Sequence, residues 1–293
     1  MLSNIDKASR ISFVNNEFLP HQNCMVHIED RGFQFADGVY EVILFKNNKL
    51  IDADAHLSRL DRSLSGLKII NNFSKEFLID VAVKLFKYND LKEGTIYLQI
   101  TRGCTARFPS IPKDIQPTIV ATVSSLKEIN ETEFNNGYTA IIEPDLRWHR
   151  CNLKTTSLIA SSLVNQKAKD MGFDDAIMFR EELDITEASY ANVFMVDNDH
   201  NLITRQADNL VLCGITRNRM IELAKINNIK VQERLFKIKD LLQAKEIFLT
   251  SSSLIIRPVV KVNYQNNDYQ IFNGQVGDIA KRLRQYYQDF INS

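Results

Sequence analysis

The pattern of apolar and polar residues over the N-terminal part of the chain alternates between strand-like and helix-like periods. Residues 39–45 are largely apolar and are followed by the polar run 46–49, which predicts a strand that ends in a turn. Leucines then recur every three or four residues and predict an amphipathic helix over 56–67, and a second apolar face predicts a helix that ends near Gly94. Further strands are predicted at 95–102 and 118–123. Helices and strands in one stretch indicate a small α+β domain.

The second half of the chain has a different pattern, in which short apolar runs alternate with longer runs of helical period. The short runs predict strands at 176–179, 192–196 and 246–250, and the long runs predict helices at 156–171, 215–227 and 275–291. We therefore predict two domains: a small α+β domain over 1–124, a polar linker over 125–133 and a larger C-terminal domain over 134–293. Ligands usually bind between domains, so we expect the active site in the inter-domain cleft.

Composition narrows the class of protein without identifying it. The 293 residues include 36 lysines and arginines against 36 aspartates and glutamates, so the formal net charge is zero. With 44% hydrophobic residues, this balance argues against a disordered chain and against a dedicated nucleic-acid binder, and it leaves room for a local basic pocket. The sequence shows neither a run long enough for a membrane helix nor the apolar core of a signal peptide, so we expect a cytoplasmic protein.

The four cysteines are scattered along the chain and form no CxxC or Cys/His cluster: Cys24, Cys104, Cys151 and Cys213. Their spacing does not match a zinc site, and a chain of this length does not need disulfides to be stable. We therefore expect no metal site, and we expect all four to be small buried residues.

Two segments with polar residues in apolar surroundings contain candidate catalytic groups. Lys154 directly precedes a predicted helix, where partial burial near other cations would favour the neutral, nucleophilic amine; the alternative is a solvated loop lysine. Glu187 precedes a predicted strand, and it is either a functional acid or a strand-edge carboxylate that caps a turn.

Two further segments have the composition of anion sites. Gly214 and Thr216 begin a predicted helix, which has either an ordinary N-cap or free N–H groups that bind a phosphate. The hydroxyls of 250–253 either turn the chain after a strand or contact phosphate oxygens. With the amine and the acid, these segments fit a phosphorylated aldehyde cofactor better than hydride or phosphoryl transfer. The sequence contains no G-x-G-x-x-G, Walker or G-x-S-x-G motif.

Several motifs resemble those of one enzyme family. Residues 29–42, EDRGFQFADGVYEV, closely resemble the N-terminal motif of D-alanine (D-amino-acid) aminotransferases, which are fold-type IV enzymes that use pyridoxal 5'-phosphate (PLP). Arg-Trp-x-Arg-Cys-x-x-Lys, Thr-Glu-x-Ser, Gly-Ile-Thr-Arg and the hydroxyl cluster follow in the family's order. The resemblance implies a small N-terminal α+β domain and a larger C-terminal, β-barrel-like domain with helices, which binds PLP.

The resemblance also implies which residues hold the cofactor. Lys154 is expected to form the internal aldimine with PLP and to move the proton, Glu187 to pair with the pyridine nitrogen, and Arg59 to bind the phosphate. The other expected phosphate contacts are Ile215, Thr216, Ser251 and Ser252. Arg147 occupies a family position seven residues before the lysine, and we hypothesise a role for it near Glu187.

The implied reaction is a ping-pong transamination between a D-amino acid, of the D-alanine or D-glutamate type, and a 2-oxo acid. Tyr40 and Arg107 are expected to bind the substrate carboxylate, because a guanidinium can contact a carboxylate bidentately. The family has a histidine two residues after this arginine, and here that position is Pro109, followed by a shorter loop. This departure leaves the selectivity for D-amino acids open.

Other activities of the same fold are alternatives: a branched-chain L-amino acid aminotransferase, an (R)-amine transaminase and an aminodeoxychorismate lyase. The Val-Tyr-Glu-Val sequence at 39–42 disfavours the branched-chain enzymes, and Arg107 disfavours a donor that has no carboxylate. A PLP-binding protein without turnover is the alternative from another class. The resemblance further implies a homodimer with small-molecule substrates and without nucleic-acid or membrane partners.

Overall fold

The computed structural model describes residues 10–126 and 130–292, and the chain divides into two compact units. The first unit comprises Met1–Lys127 and Leu153–Ser157, and the second comprises Glu128–Asn152 and Leu158–Ser293. Of the predicted linker 125–133, residues 127–129 lie outside the described residues. The last three residues of that predicted linker belong to a helix.

Within its described residues, the first unit has one antiparallel sheet and three α-helices. Its strands are β1 (Ile11–Val14), β2 (Glu17–Pro20), β3 (Gly38–Lys46), β4 (Lys49–Leu50), β5 (Gly94–Thr101) and β6 (Thr118–Ser124), in the order β2-β1-β6-β5-β3-β4. Its helices are α1 (Arg31–Phe35), α2 (Ala53–Leu67) and α3 (Lys75–Tyr88), with a 3-10 turn at His21–Asn23. The strand and helix types predicted from the sequence are confirmed here. The second helix ends at Tyr88, earlier than its predicted end near Gly94, which is instead the first residue of β5.

The hydrophobic core of the first unit lies between β3, β5, β6 and the two long helices. Leu57, Leu60 and Leu64 form one face of α2, as the leucine spacing predicts, and they join Val39 and Ile43 of β3 in the core. Because α2 packs along β3, polar side chains on the same side of these two elements are brought together away from water.

The segment Leu153–Ser157 is extended and pairs with the first residues of β3. Thr155 forms a bridge with Val39, and the N–H of Tyr40 donates to the carbonyl of Lys154 at 3.0 Å. This edge of β3 is accessible because β4 pairs only with Phe45 and Lys46 at the far end of the strand. The helix predicted at 156–171 consequently begins later, since Thr156 donates its N–H to Gly38 instead of entering a helical turn.

The second unit is built on a mixed sheet of nine strands within its described residues. They are β7 (Tyr138–Pro144), β8 (Asp175–Phe179), β9 (Ile185–Ala188), β10 (Asn192–Val196), β11 (Leu202–Thr204), β12 (Val231–Glu233), β13 (Glu246–Ser251), β14 (Ile255–Tyr264) and β15 (Asn267–Gln270). Its helices are α4 (Glu131–Asn136), α5 (Ile159–Asp170), α6 (Ile215–Ile226), α7 (Ile238–Leu242) and α8 (Asp278–Asn292), with 3-10 turns at Glu181–Leu183 and Phe272–Gly274.

The sheet of the second unit curls back on itself. Its strand order is β12-β11-β10-β13-β14-β7-β8-β9, with β15 on β14. Strand β9 lies at one end of this order, yet only residues 189–191 connect it to β10 near the other end, and the N–H of Ala188 donates to the carbonyl of Ala191. This curl agrees with the expected β-barrel-like C-terminal domain and places the residues that follow β7, β9 and β13 around one region of the unit.

The cysteines differ from the expectation that all four are buried. Only Cys151 is buried; Cys24 and Cys213 are half-buried, and Cys104 is exposed. Cys104 lies three residues beyond the end of β5, the strand that contributes Ile96, Leu98 and Ile100 to the core. Its side chain therefore does not contribute to the core.

Candidate active site

The first unit places one acidic side chain among basic ones on the inner side of β3 and α2. Glu41 lies in β3 on the same face as Val39 and Ile43, and it is fully buried. His56, Arg59 and Ser63 are spaced three and four residues apart along α2 and are also buried, so they face the strand together. We call Glu41, His56 and Arg59 the carboxylate–arginine cluster.

Glu41 is the centre of the carboxylate–arginine cluster. Its two carboxylate oxygens accept hydrogen bonds from Nε and Nη2 of Arg59, each at 2.7 Å, and one oxygen also lies 2.7 Å from Nδ1 of His56. Burial alone would raise the pKa of Glu41, but the charge and hydrogen bonds of Arg59 and the hydrogen bond of His56 lower it to about 2. Arg59 is therefore held in one orientation by a bidentate contact with an ionised partner. It is buried, and it is not a solvated charge on a helix face.

Lys154 is fixed by its backbone and extends its amine over an aromatic ring. Its N–H donates to Oγ of Ser63 at 3.1 Å, and its carbonyl accepts the N–H of Tyr40. The Nζ atom lies 4.2 Å from the centre of the Tyr40 ring. Gly66 of α2 leaves room for this segment, because a Cβ at that position would lie 2.5 Å from the side chain of Leu153. The structure thus brings together Tyr40 and Lys154, two residues that the sequence singles out separately.

In the second unit, Glu187 is buried and surrounded by hydrogen-bond donors. It lies in β9, all four residues of which are buried, and Oε1 accepts a short hydrogen bond from Nη1 of Arg147. Its Oε2 accepts from Nδ2 of Asn192 at 2.9 Å and from the N–H of Leu212 at 3.1 Å. Complete burial raises the pKa of Glu187, and the charge and hydrogen bond of Arg147 oppose that shift. The structure therefore places Arg147 against Glu187, and a functional role for Arg147 there stays a prediction.

Arg147 is itself oriented by a second carboxylate, that of Asp145 at the end of β7. Its Nε and Nη2 atoms lie 2.9 and 2.8 Å from the two Asp145 oxygens. Burial alone would raise the pKa of Asp145, but Arg147 lowers it to about 2, and the two carboxylates in turn raise the pKa of Arg147. Thr186 adds a hydroxyl hydrogen bond to Asp145 at 2.9 Å. The order Asp145–Arg147–Glu187 therefore forms a chain of alternating charge that keeps Glu187 in place.

The second unit also presents two groups of anion-binding donors. Helix α6 begins at Ile215 after Gly214, and no side chain of the described residues caps it, so the N–H groups of Ile215 and Thr216 point out of its first turn. A Cβ on residue 214 would lie 2.1 Å from Oδ1 of Asn192, which places this turn beside the amide that binds Glu187.

The second group of donors lies at the end of β13. Thr250 is paired with Asn192 across the sheet, and its buried Oγ1 has no hydrogen-bond partner among the described residues. Such an orphaned hydroxyl is uncommon in a native interior unless a ligand or water completes it. Ser251 accepts the N–H of Leu254 with its hydroxyl, so it also turns the chain, and Ser252 follows in that turn.

Arg107, the expected substrate-binding arginine, lies on the surface of the first unit. It is exposed, and its guanidinium carbon lies 5.1 Å from the centre of the Phe35 ring in α1. The guanidinium carbon of Arg31 lies 4.6 Å from the centre of the same Phe35 ring, and Arg31 is buried in an ion pair with Asp37. Arg107 is therefore held by stacking, and the end of its side chain remains accessible.

Three residues of these clusters were not singled out from the sequence: Glu41, Asp145 and Asn192. Thr250 belongs to the hydroxyl segment 250–253, but the sequence did not select it within that segment. The sequence contains one signal for Glu41. It is a charged residue on the otherwise apolar, inward face of a predicted strand, where a charge requires a buried partner. Asp145 and Asn192 give no comparable local signal. Asp145 bonds to Arg147 and also to Thr186, 41 residues away, and Asn192 bonds to Glu187 in the preceding strand.

The donor sets fit PLP. The first unit offers a primary amine on Lys154 and a buried guanidinium on Arg59. The second offers a buried carboxylate for a ring nitrogen, an uncapped helix start and an orphaned hydroxyl for phosphate oxygens.

Comparison with known proteins identifies the family. The family model for amino-transferase class IV matches residues 38–262. The D-alanine aminotransferase of Listeria monocytogenes serotype 1/2a (strain 10403S) is 38% identical over 281 residues, which cover 95% of each chain. The D-alanine aminotransferase of Staphylococcus haemolyticus is 32% identical over 282 residues, or 96% of this chain and 98% of that one.

The fold also agrees with a solved structure. The branched-chain amino acid aminotransferase of Escherichia coli superimposes with a TM-score of 0.88, covers 97% of this chain and 95% of its own, and is 20% identical. The two-unit fold of this chain is accordingly the fold-type IV fold. By its match to the family model and its identity to these relatives, the chain belongs to the class IV aminotransferase family.

Proposed function

We propose that this aminotransferase transfers the amino group of a D-amino acid, of the D-alanine or D-glutamate type, to a 2-oxo acid with PLP as cofactor. The observation that carries the proposal is the 38% identity to a D-alanine aminotransferase along 95% of both chains. The branched-chain enzymes resemble the chain in fold at 20% identity, and this likeness carries no argument about the substrate.

We propose that PLP is bound by the residues that the sequence and the site geometry single out. Lys154 would bond to its aldehyde carbon and Arg59 would bind its phosphate. Glu187 would accept a hydrogen bond from its protonated ring nitrogen. The other phosphate ligands would be Ile215, Thr216, Ser251 and Ser252, and the orphaned hydroxyl of Thr250 is a further donor for the same group. When bound, PLP supplies the electron sink that makes the α-proton of an amino acid acidic.

The residues of the chain then have three tasks. The amine of Lys154 would take the α-proton of the substrate and return it at the neighbouring carbon, as a positioned general base and acid. Glu187 keeps the ring nitrogen protonated, and Arg147 and Asp145 prevent its carboxylate from turning away. Glu41 holds Arg59 in one orientation, which would present the guanidinium to the phosphate. A second oxo acid takes the amino group in the reverse sequence, which gives ping-pong kinetics.

For the substrate, we propose that Arg107 binds the α-carboxylate and that Tyr40 lies beside it. The exposed guanidinium of Arg107 supports the first assignment, and the position of the Tyr40 ring under the Lys154 amine supports the second. Pro109 supplies no hydrogen-bond donor of its own. The carboxylate is therefore held by fewer donors than in the family pattern with a histidine at that position.

The half-reaction with single amino donors tests the proposed function. We expect D-alanine and D-glutamate to abolish the visible absorbance of bound PLP within the turnover time, and L-leucine and (R)-phenylethylamine to leave it unchanged. Loss of the absorbance with L-leucine alone would assign the chain to branched-chain L-amino acids, and loss with the amine alone to an amine transaminase. A protein that remains colourless after incubation with PLP would refute the cofactor assignment as well.

Reversal of the Arg147 charge tests the proposed role of Glu187 in cofactor binding. In Arg147→Glu, three carboxylates would meet where the cation now lies, so Glu187 would bind a proton or turn away from the ring nitrogen. We expect the Kd for PLP to rise about tenfold or more, which corresponds to about 1.4 kcal/mol. The measurement is PLP occupancy after equilibrium dialysis, with the exposed Arg150→Glu as the matched control from the same segment. Equal occupancy in both variants would rule this role out.

None of the helices in the described residues is long and apolar enough to span a bilayer. We propose a cytoplasmic homodimer that acts on small molecules, without nucleic-acid or membrane partners. Light scattering on the purified holoenzyme would test the dimer, since a monomer mass at micromolar concentration would contradict it.

A further inference from the structure

A cluster of metal-ligating side chains lies in the first unit, away from Lys154 and Arg59 in sequence and unused by the proposed reaction. His27, Glu29 and Cys104 each offer one ligand atom, and these atoms all lie within 4.8 Å of one another. The Sγ atom of Cys104 is 3.1 Å from Nδ1 of His27. His27 and Cys104 are exposed and Glu29 is half-buried, so an ion from solvent can reach the cluster.

The backbone holds the two segments of this cluster together. Asp30 forms an antiparallel bridge with Cys104, the N–H of Arg31 donates to the carbonyl of Gly103 at 2.9 Å, and that of Thr105 donates to Glu29 at 3.3 Å. Gly103 has a φ of +112°, and a Cβ there would lie 1.9 Å from the carbonyl of Gln116, so a residue with a side chain would strain this connection. The relative positions of residues 29 and 104 are therefore fixed by main-chain contacts and do not depend on a bound ion.

The ring of His27 is oriented as a ligand. The N–H of Glu29 donates to Nδ1 of His27 at 3.1 Å, which requires a lone pair on that nitrogen and places the proton of the neutral ring on Nε2. Nδ1 also lies 3.1 Å from Sγ of Cys104, so a metal ion bound between them would replace the hydrogen bond from Glu29. A neutral imidazole nitrogen that points at a thiol and lies beside a carboxylate is the ligand arrangement of a zinc site.

We propose that His27, Glu29 and Cys104 bind one divalent zinc-class metal ion, with a water molecule in the fourth position. One sulfur, one nitrogen and one oxygen ligand favour zinc over magnesium or calcium, which prefer oxygen alone. Tetrahedral ligands lie roughly 3–4 Å apart at zinc bond lengths, so small side-chain rotations suffice to form the site. Binding replaces the thiol proton, which is released to solvent, and the carboxylate of Glu29 compensates part of the charge.

The surroundings and the position of the site support this inference. The carboxylate of Glu29 lies within the cluster, where its negative charge attracts a cation. Arg107 follows Cys104 by three residues, so an ion that ties residue 104 to residues 27 and 29 would restrict the start of the segment that carries this arginine. The proposal stands on the first unit alone and does not depend on the proposed function.

Cobalt binding to the reduced holoenzyme, freed of metals by chelation, tests the proposal. We expect one Co²⁺ per chain, with a thiolate-to-cobalt charge-transfer band and visible bands of tetrahedral cobalt in difference spectra. Cys104→Ser is expected to lose the charge-transfer band, and His27→Ala to weaken binding about 10- to 100-fold. Cys24→Ser, which removes a half-buried thiol elsewhere, is the matched control and should bind as the wild type does.

Thiol protection gives a second, independent measurement. We expect Zn²⁺ to slow alkylation of Cys104 by iodoacetamide at least about tenfold, read by peptide mass spectrometry, and to leave Cys24 and Cys213 unaffected. Unchanged alkylation of Cys104 would overturn the proposal, as would a charge-transfer band that persists in Cys104→Ser or binding that is unaffected in both His27→Ala and Glu29→Gln. The PLP absorbance of each variant, recorded in the same samples, shows whether the active site is intact.

Discussion

Lys154→Ala is expected to lower the turnover number by about 10²–10⁴-fold, the usual contribution of a positioned general acid–base group. The backbone of Lys154 is held by Ser63 and Tyr40 through main-chain atoms, and alanine preserves both contacts. The variant should therefore fold and melt as the wild type does, and should lose only the amine that lies over the Tyr40 ring. The effect is measured as the rate of the D-alanine half-reaction in a stopped-flow instrument.

Two comparisons make this result specific to the amine. Lys84→Ala removes an exposed lysine of α3 that pairs with Asp80 on the surface, and it should leave the rate unchanged. Addition of a small primary amine to Lys154→Ala is expected to restore part of the rate, because the missing base is then supplied from solution. If Lys154→Ala retains a tenth or more of the wild-type rate, another residue moves the proton.

Glu41→Gln is expected to lower the free energy of unfolding by about 3–5 kcal/mol, the usual cost of removing one partner of a buried ion pair. Arg59 has an exposed side-chain fraction of 4% and Glu41 of 0%, so the guanidinium would remain buried without its counter-charge. Glu93→Gln removes the half-exposed partner of Lys46 on the same unit and should cost about 1 kcal/mol or less. Urea unfolding of the three proteins at neutral pH measures the difference.

The same pair makes stability depend on pH in a predictable direction. The pKa of Glu41 is about 2 in the folded chain against an ordinary value of 4.5, so the folded state binds its proton less readily than the unfolded state. Its contribution to stability is therefore complete above about pH 4.5, declines as the pH falls below that value, and is lost near pH 2. We expect this acid-dependent component to be missing from Glu41→Gln. An identical decline in both proteins between pH 4.5 and 2 would contradict the assignment.

Glu41 also connects stability with cofactor binding, since it fixes the guanidinium that we assign to the phosphate. Its loss should weaken PLP retention together with stability, whereas Arg147→Glu acts on Glu187 in the other unit. The two variants thus separate the two ends of the proposed cofactor site. The combination should raise the Kd for PLP by about the product of the single effects if the two ends act independently.

Residues that belong to short motifs could be found from the sequence because their signal is local. Leu57, Leu60 and Leu64 predict the apolar face of α2, and the same spacing places Arg59 next to it. Three strands (β8, β10 and β13) and three helices (α5, α6 and α8) of the second unit were likewise predicted from their periods, whereas its other strands and helices were not. Helix α5 is an instructive case. Its predicted start at 156 was wrong because Thr156 bonds to Gly38, more than a hundred residues earlier, and no local pattern contains that contact.

The metal cluster illustrates the same limit. The spacing of the cysteines indicates no metal site, and the expectation that Cys104 is buried is wrong. His27 and Cys104 are 77 residues apart and become neighbours only through the bridge between Asp30 and Cys104. A zinc motif can be recognised in a sequence when its ligands are close along the chain. The ligands of this cluster come from two distant segments that pair at Asp30 and Cys104.

By itself, the sequence determined the class of elements, the family and the chemical type of the groups at Lys154, Glu187 and Arg59. These follow from residue type and short-range spacing, which do not depend on how the chain folds. The tertiary structure alone decided that Glu41 holds Arg59, that Asp145 and Arg147 hold Glu187, and that residues 153–157 pair with β3. A buried charge is stable only where a partner from another element reaches it, and only the folded chain specifies that partner.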